Sequence, residues 1–261
     1  MSAIKNVASE LSKGSRILET ARSLDDFLRI LSPFNQRALA EIVRIKADRP
    51  SYLFRGDKAD KPLVATIGRC WRNGLDTYER RMLRHLQEKY ENVLRLSDWE
   101  LVALARHYGV DTRFLDWSSN ALVALRFALG NKDCNCDGQP VVWVLETRAL
   151  DFEIPVDEVM PFPKECGSST KIFAPSAIDS RVASQDSYMM RQVFVNDKIE
   201  PVNENETFKN RIWQLPIDKA FCKLIASQLE QLGYTFDALL PEVDWKQLRD
   251  ECNIIMKGDG E

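Results

Sequence analysis

The sequence contains few residues of the kinds that staple a chain or anchor it in a membrane. It has six cysteines and two histidines among 261 residues, and no apolar run approaches the roughly 20 residues that a membrane-spanning helix requires. No secretory hydrophobic segment opens the chain and the cysteines are irregularly spaced, so we expect a reducing, cytoplasmic environment and no membrane partner. Cys134 and Cys136 could form half of a zinc site, but no second ligand pair stands at suitable spacing, so we expect no metal.

An excess of charge of one sign is also missing. The 36 Lys and Arg residues and 39 Asp and Glu residues give a net charge of −3, which does not favour a protein drawn to nucleic acid by its overall field. The arginines between positions 69 and 84 form a local basic cluster, and a solvated helix face explains them more simply than nucleic-acid binding. Hydrophobic residues make up 44% and charged residues 29% of the chain, as in ordinary globular domains.

Helical and strand patterns follow one another irregularly along the chain. Apolar residues at helical spacing predict a helix that opens at Ser23 and is split at Pro33. Further helices are predicted at residues 77–96, 101–108, 121–129, 176–184 and 218–233 and after residue 241, and strands at residues 52–55, 141–145, 188–195 and 211–217. Because regular βαβ order is missing, we predict an α+β fold. It would be a single domain over residues 23–257, with a small, largely antiparallel or split sheet flanked by helices, after an N-terminal arm of residues 1–22.

The segment from His107 to Asn120 joins two predicted helices and is dense in chemical groups. It carries one of the two histidines, together with Arg113, Asp116 and aromatic residues that could stack on a base or pack in the core. Binding and catalytic groups concentrate on loops held by rigid elements. The short strand at residues 52–55 leads into Gly56 and ends in a permanently charged arginine, beside which the backbone can approach a ligand. The two segments together predict a polar site.

These residues resemble the FRG-domain family, which is named for a Phe/Tyr-Arg-Gly motif. The matching positions are Phe54-Arg55-Gly56, His107-Tyr108-Gly109, Arg113, Leu115-Asp116-Trp117-Ser118, Asn120, Phe127-Ala128, Arg181, Gln185, Leu232-Gly233 and Leu239-Leu240-Pro241. The resemblance covers roughly residues 50–250. Two positions depart from the family pattern, because Asp57 and Arg106 stand where the family often has glutamine.

The order of these blocks is also similar to that of ADP-ribosyltransferases. In those enzymes an Arg or His beside a Gly holds NAD, a second strand ends in small hydroxyl residues, and a third element supplies a glutamate or a substitute. Arg55-Gly56, Trp117-Ser118-Ser119 and Gln185 follow that order. The resemblance therefore implies an ADP-ribosyltransferase-like fold, NAD as co-substrate, and ADP-ribosyltransferase or NAD glycohydrolase activity on an unknown protein or nucleic-acid acceptor. It also implies a component of a bacterial defence or toxin system.

The resemblance also suggests roles for individual residues. The predicted catalytic residues are Arg55, His107, Asp116 and Gln185, and the predicted nucleotide-binding residues are Arg55, Gly56, His107, Tyr108, Arg113, Trp117, Ser118 and Asn120. Arg55 and His107, the latter at a helix end that favours its protonated form, suit a pyrophosphate. Ser118 and Asp116 would contact the ribose, Trp117 would stack, and the amide of residue 185 would orient the sugar.

Structural explanations compete with these roles. Arg55 could form an ion pair with Asp57 or Asp116, and Arg113 could hold Asp116 across the short loop. His107 could cap the carbonyls at its helix end, and Asp116 or a neighbouring serine could cap the helix that follows.

The reaction raises a separate difficulty. ADP-ribosyl transfer passes through an oxocarbenium-like state that a carboxylate stabilises better than the amide of Gln185. Glu146 and Glu100 are the alternatives, although Glu100 has a sufficient explanation as part of a capping box that begins at Ser97. The second hypothesis is therefore a non-enzymatic module that senses a nucleotide, or another anionic ligand, in the same pocket.

Overall fold

The computed structural model describes residues 17–45, 49–59, 61–69, 74–94, 96–107, 109–130, 138–155, 169–175, 184–195 and 198–240. The helices of this part are α1 (Leu24–Ile45), α2 (Leu75–Leu94), α3 (Asp98–His107), α4 (Ala121–Leu129), α5 (Cys222–Gln231) and α6 (Phe236–Leu239). Its strands are β1 (Tyr52–Lys58), β2 (Phe114–Ser118), β3 (Pro140–Glu146), β4 (Lys171–Phe173), β5 (Ser187–Arg191), β6 (Phe194–Val195), β7 (Lys198–Ile199) and β8 (Ile212–Pro216). Short 3₁₀ helices lie at Thr66–Arg69, Ala149–Asp151 and Lys219–Phe221.

The chain divides into two compact units. Unit 1 comprises residues up to 62, 117–149 and 202–240, and unit 2 comprises residues 63–116, 150–201 and 241–261. The boundary falls inside β2, after Asp116. The prediction of one domain over residues 23–257 is not tested by this division and stays a prediction.

Unit 1 is built on an antiparallel array of strands. β1 pairs with β3 from Tyr52↔Glu146 to Lys58↔Pro140, and β3 pairs with β8 from Val141↔Pro216 to Leu145↔Ile212. β1 also meets the end of β2 at Phe54↔Ser118. Since alternate residues of a strand face opposite sides, this array presents two faces of different character.

Helices α1, α4 and α5 cover one of the two faces, which we call the helix face. Its strand residues are Tyr52, Phe54, Val142, Val144, Trp213 and Leu215, and they pack in one core with buried residues of the three helices. The helices contribute apolar residues at helical spacing, including Phe27, Leu31 and Phe34 from α1, Leu125 and Leu129 from α4, and Ile225 and Leu229 from α5. Burial of these side chains is the main stabilising term of unit 1.

The opposite surface of the same strands, which we call the arginine face, carries Leu53, Arg55, Val141, Trp143 and Leu145. The described end of the predicted N-terminal arm is attached at the edge of this array. Leu18 and Ala21 donate backbone hydrogen bonds of 2.8 and 2.9 Å to the carbonyls of Gln214 and Pro216 in β8. Residues 17–21 therefore form part of unit 1, whereas residues 1–16 of the predicted arm lie outside the described residues.

Unit 2 contains strands in the order β4-β5-β2, the small β6-β7 hairpin, and helices α2 and α3. β4 pairs with β5 antiparallel, from Lys171↔Arg191 to Phe173↔Met189. Trp99 packs edge-on against Phe173, with ring centroids 5.0 Å apart. Buried Gln192 accepts a hydrogen bond from the Ala65 amide at 2.6 Å, and this bond fixes the segment that precedes the 3₁₀ helix at Thr66–Arg69.

The predicted α+β class is confirmed, and the registered strand pairs within the described ranges are antiparallel. The ADP-ribosyltransferase-like architecture stays a prediction. The predicted helix at residues 176–184 and the one after residue 241 fall almost wholly outside the described residues. None of the helices in the described ranges combines the length and the apolarity needed to cross a membrane.

Three sequence expectations were wrong in detail. Pro33 does not split the first helix, which runs unbroken from Leu24 to Ile45. Proline lacks the amide that donates the helix hydrogen bond, and burial of Leu31 and Phe34 on either side offsets the free-energy cost of that missing bond. The segment from His107 to Asn120 is not all loop, because residues 114–118 form β2. The strand predicted at residues 188–195 is two strands, β5 and β6, separated at Gln192, whose side chain binds the Ala65 backbone.

Candidate functional site

Arg55 lies in the middle of β1 on the arginine face. Its side chain is 14% exposed, and its Nη2 lies 3.3 Å from Oδ2 of Asp57, which is 12% exposed and two residues further along the same face. The other oxygen of Asp57 accepts the Lys58 amide at 2.9 Å. Of the two ion-pair partners expected for Arg55, Asp57 is therefore in contact with it.

Two tryptophans share the arginine face with Arg55. Trp143 stands directly opposite Arg55 on β3, where Cβ atoms of facing residues are about 5 Å apart. Trp117 precedes Ser118, the partner of Phe54, and alternation puts it on the same side as Arg55. Trp117 and Trp143 are 2% and 4% exposed, and neither indole Nε1–H has a hydrogen-bond partner among the described residues. A buried donor left in this state costs about 1–3 kcal/mol.

Gly56 has a packing explanation on the other side of the sheet. A Cβ atom at this position would lie no more than 3.0 Å from backbone atoms of Ala124 and Ala128 in α4. The glycine of the motif thus allows α4 to approach β1 at backbone distance. Its predicted part in ligand binding stays a prediction.

Ser118 and Asn120 organise the start of α4. Ser118 faces the helix side of the sheet, and its hydroxyl accepts the Asn120 amide at 2.9 Å. Asn120 is the N-cap of α4, since its Oδ1 accepts the Leu122 amide at 3.0 Å, while its Nδ2 donates to Tyr234 Oη at 3.3 Å. The predicted cap at Asp116 or a serine is wrong by position, because the chain remains extended as far as Ser118. Both polar side chains have structural roles, and binding through them stays a prediction.

In unit 2, Asp116 forms an ion pair with Arg106 rather than with Arg113. Its Oδ2 lies 2.9 Å from Nε and 2.8 Å from Nη2 of Arg106, so one carboxylate oxygen contacts two nitrogens of the guanidinium. Arg106 also donates to the Thr66 hydroxyl at 3.1 Å. One of the two positions that depart from the family pattern, Arg106, thus holds the predicted ribose carboxylate in place.

Arg113 is committed to a different partner, Glu79 of α2. Arg113 Nε lies 2.6 Å from Glu79 Oε2, both side chains are at most 2% exposed, and the guanidinium sits 4.4 Å from the centre of the Phe194 ring. The expected bond from Arg113 to Asp116 is wrong, because the arginine turns into the interior of unit 2, where the buried carboxylate neutralises it. Glu79 occupies an apolar position of its helix, in register with Met82, Leu83 and Leu86, and that misplaced charge was the signal that could have revealed the pair.

The remaining predicted residues of unit 2 lie at the ends of elements. His107 is the last residue of α3 and is half-buried. Gln185 is 9% exposed and precedes Asp186, whose φ of 47° turns the chain into β5. Tyr108 and Arg181, predicted beside these two residues, lie outside the described residues.

Glu100 and Glu146 were the alternative candidates for a catalytic carboxylate. Glu100 accepts hydrogen bonds from the Ser97 amide at 2.8 Å and the Ser97 hydroxyl at 3.0 Å, so its capping box is confirmed. Glu146 ends β3 opposite Tyr52. Within the described residues, no group of three or more His, Cys, Asp or Glu side chains could hold a metal ion. Cys134 and Cys136 lie outside those residues.

The structure therefore places some of the predicted site residues on one face of the sheet, and it gives others a structural role in packing, capping or ion pairs. Arg55 and Trp117 share the arginine face of unit 1, and sequence reasoning missed Trp143 and Asp57 beside them. Trp143 stood inside a continuous apolar run, which indicated a central strand and hid the polar edge of its ring. Among the described residues, the predicted site residues that belong to unit 2 are His107, Arg113, Asp116 and Gln185.

One family model matches part of this chain. The model of the FRG domain matches residues 50–136, about a third of the chain, from the start of β1 to just beyond α4. No curated protein and no solved structure matches the chain. The match supports the FRG family and includes both the Phe54-Arg55-Gly56 motif and the block from His107 to Asn120.

Proposed function

We propose that this protein, whose residues 50–136 match the FRG-domain model, binds NAD and acts as an ADP-ribosyltransferase-like enzyme, as a component of a bacterial defence or toxin system. The observation that carries the proposal is the position of Arg55, a largely buried guanidinium on a central strand within the FRG match. Its contact with Asp57 is 3.3 Å long, whereas charge-assisted contacts of this kind are commonly about 2.7–2.9 Å. A pyrophosphate can replace this loose intramolecular contact with a forked one.

In this proposal Arg55 binds the pyrophosphate, and Trp117 lines the same face of unit 1. The sequence-predicted roles of His107, Asp116 and Gln185 in binding phosphate and ribose stay predictions. NAD, when bound, supplies the glycosidic bond to nicotinamide and the ADP-ribosyl group. The chain's part is to hold the dinucleotide, orient the ribose and exclude water from it.

Purified protein incubated with labelled NAD and candidate protein or nucleic-acid acceptors tests the proposal. We expect label transfer or nicotinamide release, both of which Arg55→Lys reduces at least tenfold, because an ammonium cannot reproduce the guanidinium fork. Arg211→Lys is the matched control, since Arg211 is a buried arginine of the same unit that donates to the carbonyls of Glu146 and Thr207. This control should lower thermal stability without a comparable loss of activity at a permissive temperature. No transfer, no nicotinamide release and no binding would refute the proposal.

A second candidate function is a nucleotide sensor without chemistry. It is favoured by the groups available for catalysis. Asp57, the carboxylate beside Arg55, is already in contact with that arginine, and residue 185 is a glutamine, whose amide carries no charge. Calorimetric titration with NAD separates the two functions when it is combined with chromatography of the nucleotide afterwards. Tight binding of NAD that is recovered intact, and that is lost in Arg55→Ala, identifies the sensor.

A further inference from the structure

The arginine face places two aromatic donors next to the proposed nucleotide ligand. Trp143 faces Arg55 across the β1-β3 pair, and Trp117 lies on the same face at the end of β2. Their apolar neighbours on this face include Leu53 and Leu145, both fully buried. An indole on such a surface brings one polar group, the Nε1–H, into otherwise apolar surroundings.

An indole N–H can donate a hydrogen bond but cannot accept one. Both donors are buried and have no hydrogen-bond partner among the described residues, although most buried polar side-chain atoms have one. A phenylalanine at either position would fill most of the same space without this cost. The two tryptophans therefore call for an acceptor that the described residues do not supply.

The charge beside them indicates which acceptor this is. Arg55 carries a permanent positive charge and stands opposite Trp143 on this face. The five N–H donors of a guanidinium can serve an anion as well as a carboxylate 3.3 Å away. An oxygen-rich anion can accept hydrogen bonds from the arginine and both indoles at once.

We propose that Trp117 and Trp143 donate their indole hydrogens to oxygens of the same phosphoryl group that Arg55 binds. This inference rests on the proposed function and deepens it, because it assigns the pyrophosphate of the ligand to the arginine face and adds Trp143 to the binding residues. Trp117 then acts through its N–H edge rather than as a stacking platform for the base. Each donor contributes affinity only when the ligand carries phosphate oxygens.

Indole resonances test the proposal directly, because the chain has six tryptophans and each gives one ¹⁵N-indole signal. Inorganic pyrophosphate, ADP-ribose and NAD are titrated into the full chain labelled with ¹⁵N. We expect two indole protons to move downfield, and Trp117→Phe and Trp143→Phe each to remove one of those two signals. The same two substitutions should weaken pyrophosphate binding about tenfold each in calorimetry.

Trp213→Phe is the matched control. Trp213 is equally buried on β8 but belongs to the helix-face core, where its ring packs edge-on against Phe34 at 5.4 Å. It should lower thermal stability as much as the other two substitutions do and leave pyrophosphate affinity unchanged. An equal loss of affinity in all three variants would show that the effect is structural and overturn the inference.

The outcomes also separate this inference from the proposed function. If NAD binds and is cleaved but Trp117→Phe and Trp143→Phe bind as tightly as the unsubstituted protein, the inference is wrong and the function stands. If pyrophosphate binds through the two indoles but NAD is neither bound nor cleaved, the NAD proposal fails and the inference stands. If none of the three ligands shifts an indole resonance, the inference is overturned.

Discussion

Replacing Gly56 with alanine should destabilise unit 1 strongly. The cause would be steric overlap with α4 and not backbone strain, because Gly56 lies in a regular strand. The added Cβ would lie no more than 3.0 Å from three backbone atoms of α4, whereas ordinary van der Waals contact begins at 3.4 Å. No flexible side chain is among the three atoms, so α4 itself must move away from β1 by about 1 Å. That movement disturbs a core in which Leu125 and Leu129 are fully or almost fully buried. Overpacking of this kind costs about 3 kcal/mol.

Thermal unfolding followed by circular dichroism measures this cost. A loss of about 3 kcal/mol corresponds to a fall of roughly 6–12 °C in Tm for a domain of this size. Gly74→Ala is the matched control, because Gly74 has a φ of 81° but nothing within 4 Å of its Cβ position. It should cost only the conformational strain of about 1–2 kcal/mol. If Gly56→Ala lowers Tm no more than this control does, the packing explanation of the motif glycine is refuted.

Two other substitutions test the ion pairs. Glu79→Gln should lower the free energy of unfolding in urea by about 3–5 kcal/mol, because it leaves the charge of Arg113 buried and uncompensated. The control is Glu206→Gln, at a side chain that is 83% exposed, which should change the free energy of unfolding by less than about 1 kcal/mol. Similar losses in both variants would contradict this account. Asp57→Asn should strengthen pyrophosphate binding about three- to tenfold in calorimetry, because it removes the negative charge that competes for Arg55. Weaker binding in that variant would instead show that the carboxylate is needed to orient the guanidinium.

The fold class could be predicted from the sequence because it depends on patterns with a short range. The apolar run at residues 141–145 and the helical spacing of residues 121–129 each lie within one element, and both elements are present. Pro33 misled the same kind of reasoning, since its local cost is outweighed by tertiary burial on both sides of it. β2 was missed because its five residues carry Asp116 in the middle, and the strand is defined by neighbours distant in sequence.

The site could be predicted only in part, because the partner of a charged side chain is a tertiary property. The sequence placed Arg113 three residues from Asp116, yet each found a partner in another element, Glu79 of α2 and Arg106 of α3. Asp57 was among the expected partners of Arg55, because two residues along a strand return to the same face. Trp143 could not be connected with Arg55 until the register of β1 and β3 was known.

These contacts change which residues of the FRG match bear on function. Gly56 is explained by helix packing, Asn120 by a helix cap and Arg113 by a buried ion pair, so losing activity on their substitution would not locate a ligand. Arg55 differs from them, because it is a charged side chain on the arginine face of the sheet rather than on the side that packs against α4. Trp117 differs from them too, since its buried N–H has no partner in the described part of the chain. A ligand that supplies oxygen acceptors accounts for both residues with one assumption. The pyrophosphate affinity of Arg55→Lys and Trp117→Phe is therefore a more decisive measurement than the enzymatic activity of variants at every position of the motif.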